Sequence, residues 1–360
     1  MLRAGLIGFP STGKSSLLRL LTSPHEDAAR SVGRRESQVG VVQVPDARLD
    51  RLTALFKPRR QVPATVEVTE LAGHRAATAM LDVSEFRNAD ALLHVLRMFS
   101  DHRVPHVSGH PDPARDAQQM EDELILADLA VAERRLDKLR QDLKRGKNSK
   151  LEAERRMLQQ CQSTLEEGRP LRSLALDSED TKHLRGFSFL SAKPLLMVLN
   201  LDEVDVSEPR NAIERAGLAG VLSGASVEAV PVCAKIELEI AQLAIIDRPA
   251  FLTDIGLSDS GLDRVIRACY TLLGYISFFT VGTDECRAWS IPLGTSAQEA
   301  ASEIHSDISR GFIRAEVVPY EALQARNGSQ AACREYGEIR LEGKEYEVRD
   351  GDVINFRFAT

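Results

Sequence analysis

Gly8-Phe-Pro-Ser-Thr-Gly-Lys-Ser15 stands between an apolar run, Leu2–Ile7, and Ser15-Ser-Leu-Leu-Arg-Leu-Leu21, whose leucines recur at helical spacing. The stretch matches GxxxxGK[ST] and sits where that pattern has chemical meaning, between a strand and the first turn of a helix. Glycines let main-chain N–H groups turn inward around a phosphate, and the helix N-terminus adds partial positive charge. Phe9, Pro10, Ser11, Thr12, Gly13, Lys14, Ser15 and Ser16 are therefore the candidate phosphate-binding residues. In this reading Lys14 bridges the β- and γ-phosphates and the Ser15 hydroxyl ligates Mg²⁺. An ordinary Gly-rich turn is the competing reading, and the agreement of strand, loop and helix weighs against it. Gly5 and Gly8 do not complete GxGxxG, which disfavours a dinucleotide fold.

Further strand-like runs follow at Gly40–Val44, Thr65–Val68, Ala91–Leu96 and Leu195–Leu199, with helical stretches between several of them. This alternation predicts an α/β fold on a parallel sheet. Asn200-Leu-Asp-Glu203 directly follows the last of these strands, where guanine-binding proteins place NKxD. An aspartate there accepts from N1–H and the 2-amino group of guanine, which adenine lacks. Here the acid is Glu203, one methylene longer, and Leu201 replaces the lysine, so adenine is the expected base. Cys233-Ala234-Lys235 occupies the place of the loop whose backbone lines the base pocket.

From Asp116 to Leu190 the pattern turns helical, with Leu129, Ala132, Leu136, Leu139 and Leu143 on one stripe and Leu151, Leu158, Cys161 and Leu165 on a second. Two antiparallel helices paired along an apolar seam are the simplest solution. Their far end carries Arg134, Arg135, Lys138, Arg140, Lys144, Arg145, Lys147, Lys150, Arg155 and Arg156 against only Asp137, Asp142, Glu152 and Glu154, the basic region of an acidic protein. It reads either as a solvated face or as a surface for RNA or an acidic partner. Past Ser277 short alternating runs surround one helical stretch near Ala297–Ile308, which predicts a small mixed β/α domain.

Composition bounds the rest. A chain of 360 residues, 43% hydrophobic and 28% charged, is too long for one ordinary core and too apolar for disorder. The formal charge of −7 excludes a histone-like coat for nucleic acid, and DNA sequence recognition is not expected. Five scattered cysteines without a CxxC pair suit buried thiols in a reducing cytosol. No apolar run approaches the ~20 residues that cross a bilayer, so the expectation is a cytoplasmic protein with no membrane partner. His102, His106 and His110 recur every four residues, but Pro105, Gly109 and Pro111 argue against a metal-binding helix there. Cys233, beside the expected base pocket, reads as a small packing residue ahead of a redox site.

These residues resemble the Obg-like ATPase (YchF) family. The resemblance rests on Gly8–Ser15, Val39–Asp46 (VGVVQVPD), His106–Asp116 (HVSGHPDPARD), Leu126–Leu129 (LADL) and Asn200–Glu203, and near the C-terminus on RAWSIP, RGFIRAEV, LEGKEY and DGDVINFRF. It implies a P-loop GTPase-like parallel sheet formed by 1–115 and 191–277, an inserted α-helical hairpin over 116–190, and a β-grasp TGS domain over 278–360. It also implies ATP, or GTP, with Mg²⁺, and association with ribosomes or RNA through the hairpin and the TGS domain.

The departures fall on the hydrolytic parts. Arg34 stands where the family has a magnesium-binding Thr, and DxxG becomes Glu70-Leu-Ala-Gly73. Glu70 can still hold Mg²⁺ through water, and the Gly73 N–H can donate to a γ-phosphate. His74 follows, either to position the attacking water or as a plain loop residue. The expected function is a slow ATPase coupling nucleotide state to ribosome or RNA association, with Lys14, Gly73 and His74 as candidate catalytic residues. The alternative is a translation-associated adaptor that binds nucleotide without hydrolysing it.

Overall fold

The computed structural model describes residues 2–22, 38–70, 83–106, 108–145, 148–175, 178–224, 226–244 and 246–359. Contacts divide the chain into two units, one of Leu2–Val41 with Glu67–Leu272, the other of Val42–Val66 with Leu273–Thr360. Among the described residues the strands are β1 (Leu2–Ile7), β2 (Gln38–Gln43), β3 (Arg60–Val62), β4 (Thr65–Glu70), β5 (Ala91–Arg97) and β6 (Leu195–Asn200), then β7 (Val227–Val232), β8 (Tyr275–Val281), β9 (Glu285–Pro292), β10 (Phe312–Pro319), β11 (Arg340–Glu342) and β12 (Asp352–Phe358). The first four longer helices are α1 (Lys14–Thr22), α2 (Ala47–Phe56), α3 (Pro113–Arg145) and α4 (Ser149–Glu166).

One sheet runs in the order β2-β4-β1-β5-β6-β7. Its central ladders are parallel: Ile7 faces His94, Leu96 faces Leu199, and Asn200 faces Val232. All of β5 and β6 is buried, as continuous apolar runs covered on both faces must be. On one face Leu92, Leu96, Leu195 and Leu199 meet Ala117, Met120 and Leu124 of α3 and Phe86 of a 3₁₀ turn, Val83–Asn88. The expected strands are present, each a residue or two longer or shifted, and β7 extends the sheet to the loop before Cys233.

α3 runs for 33 residues and α4 for 18. Ile125, Ala132, Leu136 and Leu139 of α3 bury themselves against Met157, Leu158, Cys161 and Leu165 of α4, which is the seam the leucine spacing predicts. Asn148 starts α4 by accepting from the N–H groups of Lys150 and Leu151. Arg135 spans the pair to Glu154, at 2.6 and 2.9 Å. Arg134, Lys138, Lys144, Lys150 and Arg156 are exposed, while Arg140 pairs with Asp137.

In the other unit a second sheet runs β11-β10-β12-β8-β9-β3. β8 and β9 pair antiparallel through seven residues, Tyr275–Val281 against Cys286–Pro292, and β12 meets β8 in parallel at Val353 and Phe279. The helix Ala297–Ile304 packs Ala297, Ala300 and Ala301 on Phe278, Ile291 and Phe356. It begins at a capping box in which Ser296 and Glu299 satisfy each other's backbone N–H groups. The helical stretch expected to run to Ile308 breaks at His305, whose side chain caps the next turn, Ser306–Arg310. Tyr346–Val348 forms no strand, only a bridge between Glu347 and Ser296. Within the same unit α2 is tied down by Arg48, which reaches Asp46 at 2.8 Å and Asp350 at 2.7 Å. β3 pairs in parallel with β9, reinforced by Arg60 and Glu285.

Candidate functional site

β1 delivers the chain into the Gly8–Ser15 loop at the C-terminal end of the parallel strands, where open α/β sheets bind ligands. Gly8 has φ 144° and Gly13 φ 100°, a region that side chains avoid. A Cβ on Gly8 would sit 2.7 Å from the Val95 carbonyl, and one on Gly13 would collide with Asn200 Nδ2. Ser11 also takes a left-handed turn, at φ 64°. Thr12 is buried and its hydroxyl donates to the Phe9 carbonyl at 3.1 Å. Pro10, Ser11, Ser15 and Ser16 are exposed, and Phe9, Gly13 and Lys14 are half-buried.

Lys14 folds back over its own loop, donating to the carbonyls of Gly8 (2.8 Å) and Phe9 (2.7 Å). Burial lowers its pKa and the nearby Glu70 carboxylate raises it. Ser15 Oγ donates to Glu70 Oε1 at 2.7 Å, so the two expected magnesium residues are already in contact. The Ser15 hydroxyl and the Glu70 carboxylate are hard oxygen donors of the kind Mg²⁺ takes.

Asn200, at the end of β6, joins the loop to the base-pocket segment. Its Nδ2 donates to the Thr12 carbonyl at 2.9 Å and its Oδ1 accepts from the Ala234 N–H at 3.1 Å. Glu203 pairs with Lys235 at 2.6 Å, so the two expected base-pocket side chains are together and exposed. The Leu201 side chain is buried in the core, and its N–H donates to the Val232 carbonyl. Cys233 is buried, and burial pushes its thiol pKa up, away from reactivity. Arg34, Gly73 and His74 lie outside the described residues.

Two polar residues near the loop escaped the sequence reading. His94 interrupts the apolar β5 opposite Ile7 and is 1% exposed. Burial, and secondarily the Lys14 charge, hold its pKa at about 3, so the ring is neutral. Arg97, 2% exposed, donates to the carbonyls of Phe99 (3.1 Å), Val104 (3.0 Å) and Asp101 (3.3 Å) and fixes the loop after β5. The only sequence signal was a polar side chain inside an apolar run for His94 and directly after it for Arg97. The three spaced histidines do not share a helix: His106 is buried with Nε2 2.9 Å from Asp116 Oδ2, while its Nδ1 accepts from Ser108 N–H. Among the described residues no group of three or more His, Cys, Asp or Glu could hold a metal, and no helix is long and apolar enough to cross a membrane.

Over 99% of its length the chain is 40% identical to a Bacillus subtilis protein named "Ribosome-binding ATPase YchF", of which it covers 99%. The chain belongs to the YchF family. A second relative of that name, from Escherichia coli O157:H7, is 38% identical with 99% of each chain covered. The family model YchF-GTPase_C, described as a protein of unknown function (DUF933), matches residues 275–359. The solved YchF GTPase of Schizosaccharomyces pombe superposes with TM-score 0.86 at 27% identity, covering 99% of this chain and 97% of that one. A GTP binding protein from Pyrococcus horikoshii OT3 shares the fold, with TM-score 0.60 at 19% identity and coverage of 99% and 100%.

Proposed function

We propose that this YchF protein binds ATP in preference to GTP at the Gly8–Ser15 loop, hydrolyses it slowly, and uses nucleotide state to set its association with the ribosome. The observation that carries the reading is the loop itself, with Ser15 2.7 Å from Glu70 and Asn200 bonded to Thr12. The ribosome enters through the relatives' name and is consistent with the exposed basic residues of α3 and α4. We assign 1–115 and 191–277 to a P-loop nucleotide domain, 116–190 to an inserted helical hairpin and 278–360 to a β-grasp TGS domain. The helices at 113–166 and the family match at 275–359 support the hairpin and C-terminal parts of this division, whereas contacts group Val42–Val66 with the C-terminal unit. The cytoplasm follows as the compartment of a ribosome-associated protein.

In this mechanism the carbonyls of Gly8 and Phe9 hold Lys14 until phosphate oxygens replace them. Because the ammonium is partly desolvated before phosphate arrives, less of its hydration remains to be lost on binding. Main-chain N–H groups of the loop and of the α1 N-terminus complete the cradle. Ser15 directly, and Glu70 through water, would hold Mg²⁺, which when bound neutralises charge building on the phosphate oxygens. Glu203, steered by Lys235, faces the base, while Gly73 supplies a γ-phosphate N–H and His74 orients water. The alternative, nucleotide binding without turnover, rests on Arg34 in place of the family's Thr and on the longer Glu70.

Calorimetric titration with non-hydrolysable ATP and GTP analogues in Mg²⁺ tests the first step. Tighter ATP binding is expected, and no heat from either analogue defeats the proposal. Single-turnover phosphate release, with and without ribosomes, then separates the ATPase from the silent binder.

A further inference from the structure

The LADL stretch, Leu126–Leu129, has no part in the nucleotide site, yet its aspartate is the most enclosed charged side chain of α3. Asp128 is 0% exposed. Its Oδ1 accepts from the Leu190 N–H (2.9 Å) and from Arg87 Nη1 (3.1 Å), and its Oδ2 accepts from the Ser191 N–H (2.7 Å). Arg87 closes the Val83–Asn88 turn and also donates to the carbonyls of Ser188 (3.2 Å) and Ala127 (3.1 Å). Lys193 binds the same turn from the other side, through the carbonyls of Arg87 (2.9 Å) and Ala89 (2.5 Å). About two turns of helix earlier Glu121 holds Arg172 at 2.7 Å, and Arg172 Nε donates to the Lys193 carbonyl at 2.9 Å. Three segments thus meet on α3 through a buried polar network, the kind that fixes a single arrangement when its members are paired.

The same turn touches the strand that feeds the phosphate loop. Gly5 of β1 lies so close to Phe86 that a Cβ there would be 2.6 Å from the ring, and 3.3 Å from Ala89 Cβ. Val83 and Phe86 share a core with Ile7 and with Ala117, Met120 and Leu124 of α3. In sequence the turn begins directly after 71–82, the segment that carries Gly73 and His74. It therefore sits between β1, which it touches at Gly5, three residues before Gly8, and α3, where Asp128 holds it.

We propose that the Arg87–Asp128 contact is the joint through which the Val83–Asn88 turn sets the direction of the α3–α4 pair, so that occupancy of the nucleotide site is relayed to the basic end of the two helices. This rests on the nucleotide reading above and names how that site is coupled. The geometry amplifies: from Asp128 to Arg145 is about 26 Å of helix, so a tilt of about 10° at the joint moves the far end by about 4–5 Å. Arg87 and Asp128 are positioning residues here, since neither touches the phosphate loop.

The experiment uses the full chain with spin labels on cysteines introduced at Lys150 and Gln242, both exposed, the five native cysteines being buried. Calorimetry with a non-hydrolysable ATP analogue and Mg²⁺ is run on the same samples. The expected result is a shift of several ångströms in the label distance on analogue binding. That shift should vanish or broaden in Asp128→Asn and Arg87→Gln while analogue affinity stays within about threefold. Arg87→Lys, which keeps the charge and loses the fork, should retain part of it. A merely structural role would lower stability and leave the nucleotide response intact. An equal shift in all variants, or analogue binding by the parent chain without any shift, overturns the joint; absence of analogue binding overturns the nucleotide reading instead. Should the variants not fold, amide exchange at Leu190 and Ser191 in the unaltered chain decides, since unchanged protection on analogue binding also refutes the coupling.

Discussion

Replacing Asn200 by alanine removes the carboxamide that joins the phosphate loop to the base-pocket segment. Asn200 is 3% exposed, and the change leaves the Thr12 carbonyl and the Ala234 N–H without their partner. A buried backbone group stripped of its hydrogen bond costs about 1–3 kcal/mol, so two of them cost about 2–4 kcal/mol after some water enters the gap. For a unit of this size that corresponds to a fall in melting temperature of about 4–16 °C. Far-UV circular dichroism is the appropriate probe, because the single tryptophan, Trp289, belongs to the other unit. With the loop no longer braced, ATP-analogue affinity should fall at least tenfold, about 1.4 kcal/mol. A loss of stability below about 0.5 kcal/mol together with unchanged affinity would refute the bracing argument, because the two bonds would then be worth no more than a surface contact.

Ser15→Ala should cost about 1–3 kcal/mol of stability through the lost bond to the buried Glu70 carboxylate, and weaken analogue binding about 10- to 100-fold in Mg²⁺ and much less in chelator; equal weakening in both would remove Ser15 from the metal site. Glu203→Asp should narrow the ATP-over-GTP affinity ratio and leave the melting temperature alone, because its pair with Lys235 is exposed; an unaltered ratio in parallel titrations would show that this acid does not read the base. His94 predicts an acid limb. The folded ring stays neutral down to about pH 3 whereas the unfolded ring protonates near pH 6.5, so this residue costs about 1.4 kcal/mol of stability per pH unit as pH falls through that window. His94→Leu should flatten the limb in denaturant titrations between pH 6 and pH 4, and an unchanged slope would count against it.

Much of this was legible in the chain because local signals and burial agree. Gly8–Ser15 declares itself by turn chemistry between two apolar segments, and the α3–α4 seam by leucines at alternating three- and four-residue steps. Asn200 and Glu203 were found because they end an apolar strand, but their partners, Thr12 and Lys235, are far apart in sequence and become neighbours only through sheet order. β3 was missed for a different reason: Arg60-Gln-Val62 has no apolar alternation and is a strand only because β9 offers it an edge. His94 lies inside the apolar run Ala91–Leu96 and Arg97 just past its end, and their burial depends on contacts across the sheet and the following loop that no spacing rule encodes. Leu201, placed with the base-pocket residues by its position in the motif, turns its side chain into the core.

The assignment of Val42–Val66 to the same unit as Leu273–Thr360 has a consequence for birth of the chain. α2 and β3 leave the ribosome early, but β9 follows β3 only about 225 residues later and Asp350 follows Arg48 by 302. At translation speeds of about 5–20 residues per second the wait is about 11–60 seconds. During that interval the exposed apolar face of α2, with Leu49 and Leu52, has no native cover. A stalled or truncated nascent chain ending before β8 would keep that face open permanently, a handle for chaperones and quality-control proteases.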